Sequence, residues 1–109
     1  MVHSSRLTFS LVPAGDRVRL SLTGELDLAS RESFISAALG ALEGTPSLLE
    51  LDFDGVAFCD SSGVSGLLAV HRMAAGAGKR VVLVNLRPQL VHTLSVAGLL
   101  DTLTAVESD

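Results

Sequence analysis

Apolar and polar residues alternate weakly from Leu7 to Leu11 and then regularly at Val18, Leu20 and Leu22, with Arg17, Arg19 and Ser21 between them. Pro13-Ala14-Gly15-Asp16 supplies turn chemistry between the two runs, so they read as a β-hairpin whose second strand has one apolar and one polar face. The pattern changes at Gly24-Glu25-Leu26-Asp27. From Ser30 the apolar positions are Phe34, Ile35, Ala38, Leu39 and Leu42, a helical stripe with Ser30 or Asp27 as N-cap and Gly44 followed by Pro46 as the stop. Ser47 to Phe53 has strand length and ends in Asp54-Gly55, a turn signal; Val56-Ala57-Phe58-Cys59 is apolar again and gives way abruptly to Asp60-Ser61-Ser62-Gly63. Val64, Leu67, Leu68, His71 and Ala75 then recur at three and four residues, predicting a second helix from Ser61 or Ser62 that stops in Gly76-Ala77-Gly78. Val81 to Val84 predicts a central strand buried on both faces. Pro88 suits the first position of a third helix, carrying Val91 and Leu94 and ending at Gly98, and Leu99 to Val106 predicts a last short strand.

This order predicts an α/β fold: a mixed, mostly parallel sheet with an N-terminal hairpin, packed with three or four helices. The 109 residues, 48% hydrophobic and 18% charged, suit one domain over residues 1–109 with its core at about 7–105. No repeat or linker divides the chain.

Charge and composition narrow the function. Eight Lys plus Arg against twelve Asp plus Glu give a net charge of −4, with neither Trp nor Tyr, which argues against a nucleic-acid partner. No apolar run approaches the ~20 residues of a membrane span, and residues 1–12 lack the plan of a secretion signal, so a cytoplasmic protein without a membrane partner is expected. The single cysteine, Cys59, excludes an internal disulfide and a Cys-rich zinc site. It lies in an apolar run, where a buried inert thiol is the default and a redox role beside Asp60 the alternative.

Enzyme signals are poor. Gly63-Val64-Ser65-Gly66 lacks the spacing of a nucleophile elbow and places Ser65 inside a helix. Gly76-Ala77-Gly78-Lys79 lacks the spacing of a phosphate-binding loop. His3, His71 and His92 have no metal-ligand spacing, and His71 falls on an apolar stripe where packing is its expected role. No catalytic residue, metal or cofactor is therefore assigned.

Two acidic, turn-rich segments fall beyond the carboxyl ends of predicted parallel strands, where sheets of this type carry functional loops: Gly24-Glu25-Leu26-Asp27 and Asp60-Ser61-Ser62-Gly63. If their strands are neighbours, Asp27 and Ser61 face one crevice. Ser61 stands at a helix N-terminus, where free N–H groups and the helix dipole tolerate a phosphate. The plain alternative is capping, with Asp60, Ser61 or Ser62 closing the second helix and Asp27 the first, each cap being worth about 1 kcal/mol.

Together with Leu22-Thr23-Gly24-Glu25-Leu26-Asp27, Leu49-Glu50-Leu51-Asp52-Phe53, Phe58-Cys59-Asp60-Ser61-Ser62-Gly63, Arg87-Pro88 through Leu94 and Ala97-Gly98-Leu99, the chain resembles the STAS domain of bacterial anti-sigma factor antagonists. That resemblance implies partner switching. Such a protein binds an anti-sigma factor that is also a serine kinase, releases the sigma factor, and is inactivated by phosphorylation until a phosphatase reverses it. The acceptor carried over is Ser61, with Ser62 as the alternative; Glu25, Asp27 and Asp60 match the acidic surroundings, and Ser62 and Gly63 the start of the following helix. Two departures stand out. Val64-Ser65-Gly66 replaces the Leu-Gly and bulky residue frequent in the family, and the stop at Asp109 implies a short or missing final helix. Two other functions compete: a ligand-sensing module binding a nucleotide or other anion at the same helix terminus, and a scaffold subunit in a signalling assembly with Ser61 unmodified.

Overall fold

The computed structural model describes residues 7–43 and 47–104. The chain runs β1 (Thr8–Ala14), β2 (Arg17–Leu26), α1 (Arg31–Glu43), β3 (Leu48–Cys59), α2 (Ser61–Gly76), β4 (Arg80–Val84), α3 (Pro88–Val96) and α4 (Leu100–Thr104). The four strands form one sheet in the order β1-β2-β3-β4. β1 pairs antiparallel with β2 as the predicted hairpin, while β2–β3 and β3–β4 are parallel. This is the expected mixed α/β domain, with four helices.

The alternation in β2 decides which side of the sheet becomes the core. Leu20, Leu22 and Leu26 are buried and their polar neighbours Arg17, Arg19 and Ser21 are only half-buried. Register carries this across the sheet, because Leu20 lies beside Leu51 and Leu51 beside Leu83, all three buried in the main core. The helices cover that face. Phe34, Ala38, Ala41 and Leu42 of α1 and Val64, Leu67, Val70 and Ala74 of α2 form the stripes that close it, at the three- and four-residue spacings read from the sequence. Leu90 and Leu94 of α3 and Leu103 of α4 complete the same cluster. Burying one such Leu or Phe side chain contributes roughly 1.5–3 kcal/mol before entropy is charged against it.

The opposite face carries a charge network. In the row below, Arg19 lies beside Glu50, and Ser21 beside Asp52. Glu50, 8% exposed, accepts from Arg17 Nη1 at 2.8 Å and Arg19 Nε at 3.1 Å, and Arg19 Nη1 reaches Asp52 Oδ2 at 3.7 Å. The Arg17 hydrogen bond, helped by Arg19 and opposed by desolvation, holds the Glu50 carboxyl below the usual carboxylate range.

Three sequence expectations are corrected. Asp54-Gly55 is not a turn, and Ser47 to Phe53 and Val56 to Cys59 belong to one twelve-residue strand. The pairing of β2 with β3 shifts register between Ser21 and Thr23 and again between Gly24 and Glu25, so the apparent break is a bulge in a continuing ladder. β4 is an edge strand rather than a central one, and β3 holds the middle with β2. Val81, Val82 and Leu83 are nevertheless buried, and α4 packs against β4. Finally, Leu99 to Thr104 forms no strand; Leu100–Thr104 is helical, with Leu103 fully buried and Leu99 and Leu100 packed beside it. Residues 105 and 106 lie outside the described residues, as do the expected stops Gly44 and Pro46. Pro88 opens α3 as expected, and Gly98 follows its end with φ +75°.

Candidate functional site

β2 and β3 are parallel neighbours, so their carboxyl ends arrive side by side, with Leu26 paired to Cys59. The Asp60 N–H donates to the Leu26 carbonyl at 3.2 Å, which draws the start of α2 against the end of β2. The two acidic segments therefore meet at one end of the sheet.

Asp60 is the N-cap of α2. Its backbone is extended (φ −101°, ψ −169°), its Oδ1 accepts from the Gly63 N–H at 3.0 Å, and its carbonyl accepts the first helical bond, from the Val64 N–H. Of the two serines, Ser61 is exposed and Ser62 is half-buried. Gly63 is buried where α2 crosses the strand ends, and a Cβ there would lie 2.5 Å from the Leu26 carbonyl oxygen and 2.7 Å from Cys59 Sγ. The motif thus divides its work: Asp60 caps, Gly63 packs, and Ser61 is left facing outward at the first helical position.

Asp27 is half-buried and organises the turn before α1. Its Oδ1 accepts from the Ser30 N–H at 3.2 Å, its own N–H donates to Ser30 Oγ at 3.1 Å, and the Ser30 hydroxyl donates to the Glu25 carbonyl at 2.8 Å. Ser30 itself precedes α1, its carbonyl taking the first helical bond from the Phe34 N–H. Glu25 is exposed and pairs with Phe58. The capping alternative weighed from sequence therefore describes Asp60 and the Asp27–Ser30 turn, but not Ser61.

Several neighbours were not legible as site residues. Leu28 is 75% exposed and Phe58 44%, two large apolar side chains flanking the acidic segments. Arg31, at the start of α1, donates through Nη2 to Ser65 Oγ at 3.3 Å. Gln89 on α3 donates to the Cys59 carbonyl at 3.2 Å and steadies the end of β3 from the other side. The only forward signal for Arg31 and Ser65 is that each lies in the first two turns of its helix.

Cys59 is completely buried, and burial, reinforced by the Asp60 charge, pushes its thiol up to about 12. Its thiolate is unavailable at neutral pH, which favours the inert reading. His71 is half-buried with its Nδ1 enclosed and unpartnered among the described residues, away from the strand ends. Lys79 donates to the Leu42 carbonyl, and Ser65 sits within α2. Among the described residues no group of three His, Cys, Asp or Glu side chains is placed to hold a metal. Three clefts, of about 160, 270 and 150 Å³, lie elsewhere, and Ser61 lines none of them. Ser61 itself is exposed to solvent.

Comparison with known proteins bears on the fold and the family. A family model described as "Mlab, STAS domain" matches residues 9–105. Among solved structures, the anti-sigma factor antagonist SpoIIAA in its unphosphorylated form is 25% identical, with a TM-score of 0.72 over 94% of this chain and 90% of that one. The Bacillus cell fate determinant SpoIIAA in the phosphorylated form is also 25% identical, with a TM-score of 0.67 over 94% and 93%. An anti-sigma factor antagonist from Mycobacterium paratuberculosis, 20% identical, superposes with a TM-score of 0.79 over 95% of this chain and 87% of that one and shares the fold. No curated protein matches the chain in sequence.

Proposed function

This chain belongs to the STAS domain family, and from that premise we propose that it is an anti-sigma factor antagonist switched off by phosphorylation of Ser61. Its partner is an anti-sigma factor with serine kinase activity, bound through the surface at the carboxyl ends of β2 and β3. Binding releases the sigma factor. The kinase then transfers the γ-phosphoryl group of ATP to Ser61 Oγ, with ADP leaving, and a phosphatase restores the hydroxyl. No described helix is long and apolar enough to cross a membrane, and we place the exchange in the cytoplasm.

The observation that carries this reading is the exposure of Ser61 at the first position of α2, while Asp60 and Gly63 hold the helix to the sheet. A phosphate adds about 1.5 to 2 negative charges. On Ser61 it meets the N-terminal N–H groups of α2, which accommodate it, and leaves the cap and the close packing untouched. On Ser62, half-buried, it would compete with the contacts of the first turn. Leu28 and Phe58, exposed on the two segments that meet at the strand ends, supply apolar anchors for a docked surface, and a phosphate on Ser61 opposes docking there by repulsion and desolvation. Small-molecule sites usually enclose about 300–1,000 Å³, and an exposed Ser61 flanked by exposed Leu28 and Phe58 in the same segments suits a protein partner better than a nucleotide.

The test is titration of the purified protein against each serine-kinase anti-sigma factor of the same organism, with the phosphosite mapped by mass spectrometry. Ser61→Ala should bind one of them like wild type and resist inactivation by ATP. Ser61→Asp should bind at least about tenfold more weakly, a loss of about 1.4 kcal/mol. Equal binding by Ser61→Asp and wild type, or phosphate found only at Ser62, would overturn the assignment.

A further inference from the structure

Residues 24–34 and 57–68 together make the strand ends and first helical turns around Ser61, and Arg31 is the only Lys or Arg among them. The other charged side chains of these segments are Glu25 and Asp27 from the end of β2 and its turn, Glu32 from α1 and Asp60 from α2, all carboxylates. On these two segments a phosphate on Ser61 joins four carboxylates and one guanidinium; α3, which reaches the end of β3 through Gln89, brings Arg87, whose Nε is engaged with the Asp54 carbonyl, and His92.

The structure holds that guanidinium one helical turn along α2 from the acceptor. Gly66 of α2 has no side chain, and a Cβ on it would lie 3.3 Å from Arg31 Cγ and 3.5 Å from the Phe34 ring. The aliphatic stem of Arg31 therefore runs across α2 over Gly66, and its guanidinium comes down on Ser65 Oγ at 3.3 Å. Ser65 is four residues after Ser61 in the same helix, so the two side chains share a face with Cβ atoms about 6 Å apart. Side chains in a helix lean toward its N-terminus, which tilts the Ser65 contact point toward Ser61. Arg31 makes no ion pair among the described residues. Its hydrogen bond to a neutral, exposed hydroxyl is weak beside a charge-assisted bond to a phosphate, for which a guanidinium offers two parallel donors.

Taking Ser61 as the acceptor, and so resting on the function proposed above, we propose that Arg31 is a built-in phosphate receiver. Its guanidinium is parked on Ser65 in the unmodified protein and moves one turn along α2 to pair with the phosphate on Ser61. The pairing orients the phosphate across the start of α2 and relieves its repulsion from Glu25, Asp27, Glu32 and Asp60. Val64-Ser65-Gly66 thereby acquires a purpose, since Gly66 makes the passage and Ser65 the resting place. Arg31 is a positioning residue for the modified state.

The test uses the 109-residue chain carrying phosphoserine at position 61, incorporated during synthesis, so that it needs no kinase. Phosphorus NMR follows the second ionisation of the phosphate against pH in wild type, Arg31→Gln, Arg31→Lys and Ser65→Ala. A nearby cation favours the dianion, so the wild-type midpoint should lie below that of Arg31→Gln by about half a pH unit. Arg31→Lys should recover part of the difference, and Ser65→Ala, which keeps the cation, should stay near wild type. Equal midpoints in wild type and Arg31→Gln would overturn the proposal, as would Ser65→Ala rising as far as Arg31→Gln. Because the phosphate is placed synthetically, failure here leaves the switch at Ser61 standing, and failure of anti-sigma factor binding leaves this result standing.

Discussion

Gly63 shows why a four-residue motif can serve folding and function at once. A methyl group there would sit 2.5 Å from a main-chain oxygen, Leu26 O, which belongs to a hydrogen-bonded strand and cannot swing aside as a side chain would. Gly63→Ala should cost about 1–3 kcal/mol, read from urea unfolding as a lower midpoint at unchanged slope. A cost below a few tenths would mean that α2 can lift off the strand ends. At this scale the candidate site was partly legible. Asp-Ser-Ser-Gly after an apolar strand announces a capped helix start, but residue order leaves the cap open among Asp60, Ser61 and Ser62. It does not separate the tasks of Ser61 and Ser62 either, because exposure at the first two helical positions depends on how α2 lies on β2. Leu28, Phe58 and Arg31 were hidden for the same reason: an exposed Leu in a turn, or an Arg opening a helix, becomes meaningful only when another element arrives beside it.

Strand β3 was the element that sequence patterning misread, and Gly55 is the cause. Asp54-Gly55 is a common turn signal, yet here Asp54 donates its N–H to Asp52 Oδ1 and the strand continues. Gly55 lets β2 come close: a Cβ on it would stand 2.7 Å from the Leu22 carbonyl oxygen and 2.8 Å from Thr23 Oγ1, within the irregular stretch of the β2–β3 ladder. Local chemistry signals glycine for a turn and for a close approach in the same way, and only the neighbouring strand distinguishes them. Gly55→Ala should therefore loosen the carboxyl end of the sheet. The expected outcome is a loss of about 1–3 kcal/mol by urea unfolding, with faster amide hydrogen exchange at Thr23 and Gly24 than at Leu20. Equal acceleration at all three would place the effect on the whole sheet instead. The other two element errors have separate causes. Val81 to Val84 is apolar enough for a central strand but takes the edge, and α4 beside it uses Leu100 and Leu103 at a spacing too short to show a helical period.

Over the whole molecule, charge is sorted by place. The polar face of β2 meets Glu50 and Asp52 of β3 toward the amino ends of the two strands, whereas the surface around Ser61 occupies their carboxyl ends. The first network ties strands together and the second surface is available to a partner, so stability and binding should respond to different substitutions. Glu50 provides the test, because its carboxyl is held low in the folded state by Arg17 and Arg19. A group whose folded pKa is depressed adds stability above its unfolded value, near 4.3, and loses it as pH falls through the folded value. Glu50→Gln removes the charge that both guanidinium groups share and should destabilise the protein at pH 7 by about 1.5 kcal/mol, the low end for hydrogen bonds to a charged group because both guanidinium groups are over a third exposed. The deficit against wild type should shrink as the pH is lowered below about 4, since wild type then protonates Glu50 and loses the same interactions. Urea unfolding of both proteins at a series of pH values measures the difference. Affinity for the anti-sigma factor, titrated at neutral pH where both remain folded, should stay within about twofold, because substitutions at distant sites act nearly independently. A constant deficit across the series would show that the carboxylate charge is not what Glu50 contributes. A tenfold loss of binding would show that the partner also covers the polar face of the sheet.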